Sequence, residues 1–179
     1  MTPGRVALGV ALVLLLAVYV SWTAGRLDRM HARVDASWAA LDAQLVRRAA
    51  AARALVPHLP GRLAEQLDAV AHDALEAGEQ GREEVENRLS RLLRTALTTL
   101  PPDADLAELE SAGTRVGLAR SFHNAAVKDT RALRLRRMPR ALRLHGHRRL
   151  PEYFEIDDTA LRGAPRRGRD VPPARARTT

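Results

Sequence analysis

The fold is indicated most clearly by residues 26–60, which read RLDRMHARVDASWAALDAQLVRRAAAARALVPHLP. Apolar side chains recur here in steps of three or four residues, the spacing that gathers them on one face of an α-helix. Pro57 and Pro60 close the stretch, because proline disrupts a helix by removing a hydrogen bond. The pattern predicts one long amphipathic helix over residues 26–58. Its apolar stripe consists of Leu27, Met30, Val34, Trp38, Leu41, Leu45, Ala49, Ala52, Val56 and Leu59.

The segment that precedes this helix is apolar enough to cross a membrane. Residues 6–25 carry no charge and consist mostly of Val, Leu and Ala, and about 20 such residues span a bilayer core as a helix. Tyr19 and Trp22 lie near its C-terminal end, where amphipathic rings favour the headgroup layer. A cleaved signal peptide is the alternative, but its apolar core is usually only about 7 to 15 residues long. We therefore predict a transmembrane anchor over residues 1–25 that continues into the long helix.

The orientation of this anchor is indicated by the arginines that flank it. Arg26, Arg29 and Arg33 follow the apolar segment, whereas Arg5 and the amino terminus precede it. Basic residues favour the cytoplasmic side of a membrane. The sequence thus predicts a single-pass protein of the cell membrane whose C-terminal part is cytoplasmic.

Three further amphipathic stripes predict helices over residues 63–78, 82–100 and 104–137. A pair of glycines separates the first two of these helices, and a pair of prolines separates the last two. The sequence has no sustained two-residue alternation and no Asn-Gly or Asp-Gly turn, so strands are not expected. Short connections favour antiparallel neighbours. We therefore predict an all-α fold in which the N-terminal transmembrane helix continues into an antiparallel up-down-up-down helical bundle with two long and two short helices.

Polar residues flank the apolar stripes of the two long helices. We expect them to meet across the helix pair as a structural polar layer rather than a binding site.

Three carboxylates at the start of the third helix are expected to complement its dipole, and these are Glu83, Glu84 and Glu86. Trp38 is expected in the core, and the ring nitrogens of His123 are expected to form hydrogen bonds with a neighbouring residue or with water. The predicted polar layer consists of Asp42, Gln44, Arg47, Arg48, Arg120 and Asn124.

The positive charge of the chain is concentrated in its last third. Residues 26–100 carry as many acidic as basic side chains, whereas residues 130–150 carry eight arginines and no acid. Arginines mixed with leucines are typical of segments that bind anionic membrane surfaces, where each contributes about 1 kcal/mol. A solvated linker ranks second, and nucleic-acid binding ranks third because this segment has no Phe, Tyr or Trp to stack on bases. The predicted lipid-surface site consists of Arg131, Arg134, Arg136, Arg137, Arg140, Arg143, Arg148 and Arg149.

A short acidic and aromatic motif follows the arginines. Glu152, Tyr153, Phe154 and Glu155 either fold back onto the arginine-rich segment or bind a partner protein, and both alternatives remain open. Pro, Gly and Arg dominate the end of the chain, which holds too few apolar residues for a core. The predicted organisation is an anchor (1–25), a bundle (26–137), a basic then acidic-aromatic juxtamembrane segment (138–161) and a disordered tail (162–179).

Catalytic and metal-binding patterns are lacking in the sequence. The chain has no cysteine, which excludes disulfides and thiolate metal sites. Asp28-x-x-His31 and Asp68-x-x-x-His72 lack the paired Glu-x-x-His units of a di-iron bundle. No His-Glu-x-x-His, phosphate-binding loop or Gly-x-Ser-x-Gly is present. We therefore predict no enzymatic activity, no cofactor and no metal.

Two stretches of the chain resemble a known family. Residues 33–48 read RVDASWAALDAQLVRR and are followed by LVPHL at 55–59, and residues 119–127 read ARSFHNAAV. They resemble the first soluble helix and the Ala-Arg-x-x-Tyr-Asn-x-x-Val helix of LemA family proteins, with His123 in place of the tyrosine. The resemblance covers roughly residues 26–130 together with the anchor. It implies a helical, membrane-anchored protein, and it supplies no catalytic residues.

Taken together, these features predict a non-catalytic, membrane-anchored helical scaffold or interaction protein of the cell envelope. Its expected partners are an anionic lipid surface and an unidentified protein, with no nucleic acid and no small-molecule substrate. The alternative is a regulatory accessory subunit of a membrane enzyme such as a protease or a transporter. A single stoichiometric partner would distinguish the regulator from the scaffold.

Overall fold

The computed structural model describes residues 3–135 and 149–157, and every regular element in these two stretches is helical. No strand occurs within them, so the prediction of an all-α fold is confirmed. The predicted tail and most of the arginine-rich segment lie outside the described residues. The elements are α1 (Pro3–Arg53), a 3₁₀ turn (Val56–His58), α2 (Gly61–Glu76), α3 (Arg82–Thr99) and α4 (Ala107–Arg134).

The first helix, α1, is uninterrupted over 51 residues, which corresponds to about 75 Å at 1.5 Å per residue. The predicted apolar segment and the predicted amphipathic helix are therefore parts of one helix. Its N-terminal part is long and apolar enough to cross a membrane, judged by length and composition. The helix ends at Arg53, earlier than predicted, because Pro57 has no N–H to donate to the Arg53 carbonyl four residues before it, and the chain tightens into the 3₁₀ turn.

The surroundings of α1 change along its length. The large apolar side chains of its first part are exposed, and Leu8, for example, is 72% exposed. Burial begins at Thr23 and then recurs at Leu27, His31 and Val34, at helical spacing. One end of α1 is therefore apolar and unpacked, whereas the remainder packs against the other helices along one stripe.

The main hydrophobic core lies where the C-terminal part of α1 meets α2, α3 and the start of α4. Small alanine side chains on this face of α1 leave room for the leucines of α2 and α3, of which Leu67, Leu89 and Leu93 are fully buried. This core holds the two short helices against the end of α1 that lies farthest from its exposed apolar part. Its members are Ala49, Ala51, Ala52, Leu55, Leu59, Leu67, Ala71, Ala74, Leu89, Leu93, Ala96, Leu100 and Leu109.

The contact between α1 and α4 is the most extensive in the bundle. It consists of two small apolar clusters with a polar contact between them, and it continues the packing beyond the main core. The contacting sets are Leu41 and Leu45 with Val116, Ser37 with His123, and Val34 with Ala126 and Val127.

Candidate functional site

Residues 149–157, which we call the C-terminal strap, pack on the bundle against α1, α3 and α4. Phe154 and Ile156 are buried, with exposures of 4% and 7%, whereas Tyr153 before them and Glu155 between them are exposed. The Phe154 ring meets the Trp38 ring edge to face at a centroid distance of 5.4 Å. Phe154 and Ile156 also join the apolar cluster formed by α1 and α4. The strap is therefore part of the hydrophobic interior.

The main chain of the strap is bound by side chains of α3 and α4. The Asn124 amide donates to the Phe154 carbonyl at 3.1 Å and accepts from the Phe154 N–H at 2.9 Å. The Asp157 N–H donates to Asn87 Oδ1 at 2.8 Å, and Arg120 Nη1 donates to the Ile156 carbonyl at 3.3 Å. These bonds satisfy backbone groups that a helix or a sheet would otherwise satisfy.

Charged side chains bind the strap as well. Arg131 Nη1 donates to the Pro151 carbonyl at 2.9 Å, and its guanidinium carbon lies 5.4 Å from the centre of the Tyr153 ring. Arg134 Nη1 donates to the Arg149 carbonyl, and burial lowers the pKa of Arg134. The first two arginines of the predicted lipid-surface site therefore contact the strap.

The remaining members of that predicted lipid-surface site divide into two groups. Arg149 lies within the described residues, and its side chain is exposed. The others lie outside the described residues, and these are Arg136, Arg137, Arg140, Arg143 and Arg148.

The predicted partner motif coincides with the strap. The motif packs on the bundle and on Arg131 and Arg134, and binding to a partner protein stays a prediction. Phe154 is enclosed, and the side chains of Glu152, Tyr153 and Glu155 remain exposed.

The predicted polar layer divides into two separate groups. Arg48 is 1% exposed, and its Nη2 lies 2.5 Å from Glu86 Oε2 on α3. Asp42 Oδ1 lies 3.1 Å from Arg82 Nη2, and Arg82 Nε lies 3.4 Å from Glu86 Oε1. Asp42 and Arg48 thus belong to a buried charge network with α3, whereas Arg120 and Asn124 bind the strap. Arg47 is exposed, and Gln44 Oε1 is buried without a hydrogen bond.

Arg82 and Glu86 were missed as members of this network. The prediction that Glu86 lies in the first turn of α3 with Glu83 and Glu84 is wrong, because it follows that turn and is fully buried between two arginines. Burial raises the pKa of the Glu86 carboxyl, and the neighbouring Arg48 and Arg82 oppose that rise. The sequence signal for this network is the four-residue spacing of Arg82, Glu86 and Ser90, which places all three beside the apolar stripe of α3.

His123 lies at the junction of α1, α4 and the strap. Its Nδ1 lies 3.2 Å from Ser37 Oγ, and its ring centre lies 5.6 Å from that of Trp38. Burial lowers the pKa of His123, while a hydrogen bond with the Glu152 backbone and the Glu79 carboxylate oppose that shift. The folded protein therefore favours a neutral His123.

A cavity of about 970 Å³ opens beside the strap. Its walls are formed by residues 31–38 of α1, by the connection from α2 into α3, by His123 and by residues 149–154 of the strap. Within residues 3–135 and 149–157, no group of three or more His, Asp or Glu side chains is arranged to hold a metal ion.

Comparisons with known proteins give no match. No family model matches the chain, and no curated protein or solved structure is significantly similar to it. Its function is therefore inferred from its own residues and their geometry.

Phe154→Ala is expected to loosen the strap, because it removes the ring that packs on Trp38. Truncating a buried aromatic ring costs about 3 to 5 kcal/mol. Amide hydrogen exchange across residues 149–157 should therefore accelerate strongly. Glu155→Ala is the matched control, because its side chain is exposed while its N–H still bonds Glu83 at 2.6 Å. Unchanged exchange in the Phe154 variant would contradict the role given to the ring.

Acidification is expected to destabilise the fold through His123. Its pKa is lowered from 6.5 in the folded state, so the unfolded chain takes up the proton first. Stability should therefore decrease as the pH falls through about 6.5 and level off below the folded-state pKa. Thermal unfolding followed by circular dichroism measures this effect. His123→Asn should reduce the pH dependence and exposed His72→Asn should not; an equal dependence in both variants would contradict the assignment.

Proposed function

We propose that this protein is a non-catalytic, single-pass, membrane-anchored helical scaffold or interaction protein of the cell envelope. The observation that carries the proposal is the first part of α1, where a run of large apolar side chains is exposed on a folded protein. An exposed apolar surface of this kind is unfavourable in water and is typical of contact with a membrane or another protein. The absence of charge from residues 6–25 favours the membrane.

We further propose that the bundle has the up-down-up-down arrangement, with α4 antiparallel to α1. The order of their contacts supports this, because residues later in α4 meet residues earlier in α1. Extending the series by two helical turns would bring Leu133 level with Leu27. Both side chains are buried, at 7% and 1% exposure. The arginine-rich segment would then begin beside the end of the apolar segment.

This arrangement suits a lipid role for the arginine-rich segment. Arg131 and Arg134 are engaged with the strap, so contact with anionic headgroups would fall to Arg149 and the arginines between residues 136 and 148. The C-terminal part would be cytoplasmic, as the flanking arginines of the anchor indicate.

The resemblance to LemA proteins is part of the same proposal. Trp38, Arg120 and Asn124 belong to the two stretches that carry the resemblance, and each contacts the strap. These contacts support a structural role for those stretches and give them no catalytic chemistry.

The anchor is tested by carbonate extraction of membranes that contain the full-length protein. We expect the protein to remain in the membrane pellet with residues 1–25 still present by mass spectrometry. Leu12→Arg together with Leu15→Arg should release it, because each central charge costs about 2.5 to 3.5 kcal/mol in insertion. Leu118→Arg, at an exposed position of α4, is the control and should remain in the pellet. Release of the unmodified protein, or its cleavage after the apolar segment, would refute the anchor.

The lipid role is tested by flotation of residues 26–179 with vesicles, after circular dichroism has verified the helical content. Recovery should be higher with phosphatidylglycerol vesicles than with phosphatidylcholine vesicles. Substituting Gln for Arg137, Arg140 and Arg143 should weaken binding at least tenfold, since each arginine contributes about 1 kcal/mol. The matched control substitutes Gln for three exposed bundle arginines, Arg62, Arg91 and Arg115. Equal recovery with both lipids would exclude this role.

A further inference from the structure

We propose that the cavity beside the strap binds a small organic cation with N–H donors, an ammonium or guanidinium group on a narrow aliphatic chain. The inference does not depend on membrane anchoring, because every residue that carries it belongs to the bundle or the strap. With a volume of about 970 Å³, the cavity has the size of small-molecule sites.

The charge of the cavity walls favours a cation. Two of the lining carboxylates, Glu83 and Glu84, occupy the first turn of α3, where they also complement the helix dipole. The other three come from different elements, namely Asp35 on α1, Glu79 before α3 and Glu152 on the strap. Among the described lining residues, Arg149 is the one arginine. Several like charges that face one concave space focus a negative potential there.

A buried hydrogen-bond acceptor at this cavity is an independent observation. His31 lines the cavity and is 6% exposed. Its Nδ1 lies 2.9 Å from the Leu27 carbonyl, which can only accept, so Nδ1 carries the proton. Nε2 is then an acceptor, and it is buried without a hydrogen-bond partner. A buried acceptor without a partner is unfavourable. A small movement of the cavity wall would let an N–H group of a bound cation reach Nε2 and satisfy it.

Aromatic rings complete the walls. Trp38, Tyr153 and Phe154 line the cavity together with the carboxylates, and faces of such rings attract cations. The Tyr153 ring at this edge already binds one cation, the Arg131 guanidinium, 5.4 Å from its centre, so a ligand cation would occupy the rest of the cavity. Carboxylates and aromatic rings around one space suit an organic cation better than an anion.

The strap supplies one wall, so ligand binding and strap docking must be coupled. Residues 149–154 line the cavity, and the site is incomplete when the strap leaves the bundle. A ligand that binds the docked form stabilises that form by mass action. Binding should therefore slow amide hydrogen exchange in the strap.

The test is a calorimetric titration of the full-length protein in detergent micelles with agmatine, which carries both a guanidinium and an ammonium group. We expect saturable binding with one site per chain and slower exchange in residues 149–157. Glu79→Gln with Glu152→Gln should weaken binding at least fivefold, because two carboxylates from separate walls are lost. The matched control, Glu65→Gln with Glu76→Gln, removes two exposed carboxylates of α2 and should bind as the unmodified protein does. No saturable binding, or equal weakening in both double variants, would overturn the proposal.

Two further ligands sharpen the result. Choline carries the same charge without N–H donors and should bind at least fivefold more weakly than agmatine. His31→Phe should reduce that difference, because it removes the buried acceptor. Equal binding of choline and agmatine by the unmodified protein would overturn the N–H requirement. N-acetyl-arginine amide distinguishes the source of the cation: binding comparable to that of agmatine assigns the site to an arginine side chain of a partner, and much weaker binding assigns it to a free amine.

Discussion

One uninterrupted helix, α1, imposes the constraint on which the rest of the structure depends. Its exposed apolar part and its packed stripe share the same hydrogen-bonded backbone, so the direction of one is fixed relative to the other. α2 and α4 both pack on this stripe of α1. α3 packs mainly on α2, and it contacts α1 in the main core and through the buried ion pair between Arg48 and Glu86. The strap is positioned by α1 in turn, since Trp38 supports Phe154. A hinge within α1 would uncouple these parts.

The buried charges show how the helices are held in register. Arg48 on α1 and Arg82 on α3 both reach Glu86, and Asp42 closes the network at its exposed end. Burying such charges costs desolvation energy that their attraction offsets when the geometry is good. Removal of a single partner would leave an uncompensated charge in the interior, so α3 cannot slide along α1 without losing these contacts. Apolar contacts alone would specify that register less strictly.

The helices could be predicted from the sequence because their ends are marked by local residues. The α3 prediction of 82–100 agrees with Arg82–Thr99, since Gly81 precedes the helix with φ 80°, in the left-handed region that favours glycine. The position of the strap could not be predicted in the same way. Asn124 binds main-chain atoms of Phe154, and a side-chain pattern does not encode such a contact between residues 30 positions apart. The burial of Glu86 likewise depends on Arg48 from another helix.

The recognition of the strap through its main chain has a consequence for how its sequence can vary. Side chains of the bundle bind main-chain carbonyls, which every residue offers, and N–H groups, which every residue other than proline offers. They include Glu83, Asn87, Arg120, Asn124, Arg131 and Arg134. Only Phe154 and Ile156 place apolar side chains in the interior. Exchanges at the exposed strap positions should therefore leave its docking intact, whereas inserting or deleting one residue would shift the bonds on one side of the change out of register with those on the other. In this segment, spacing is under stronger constraint than composition.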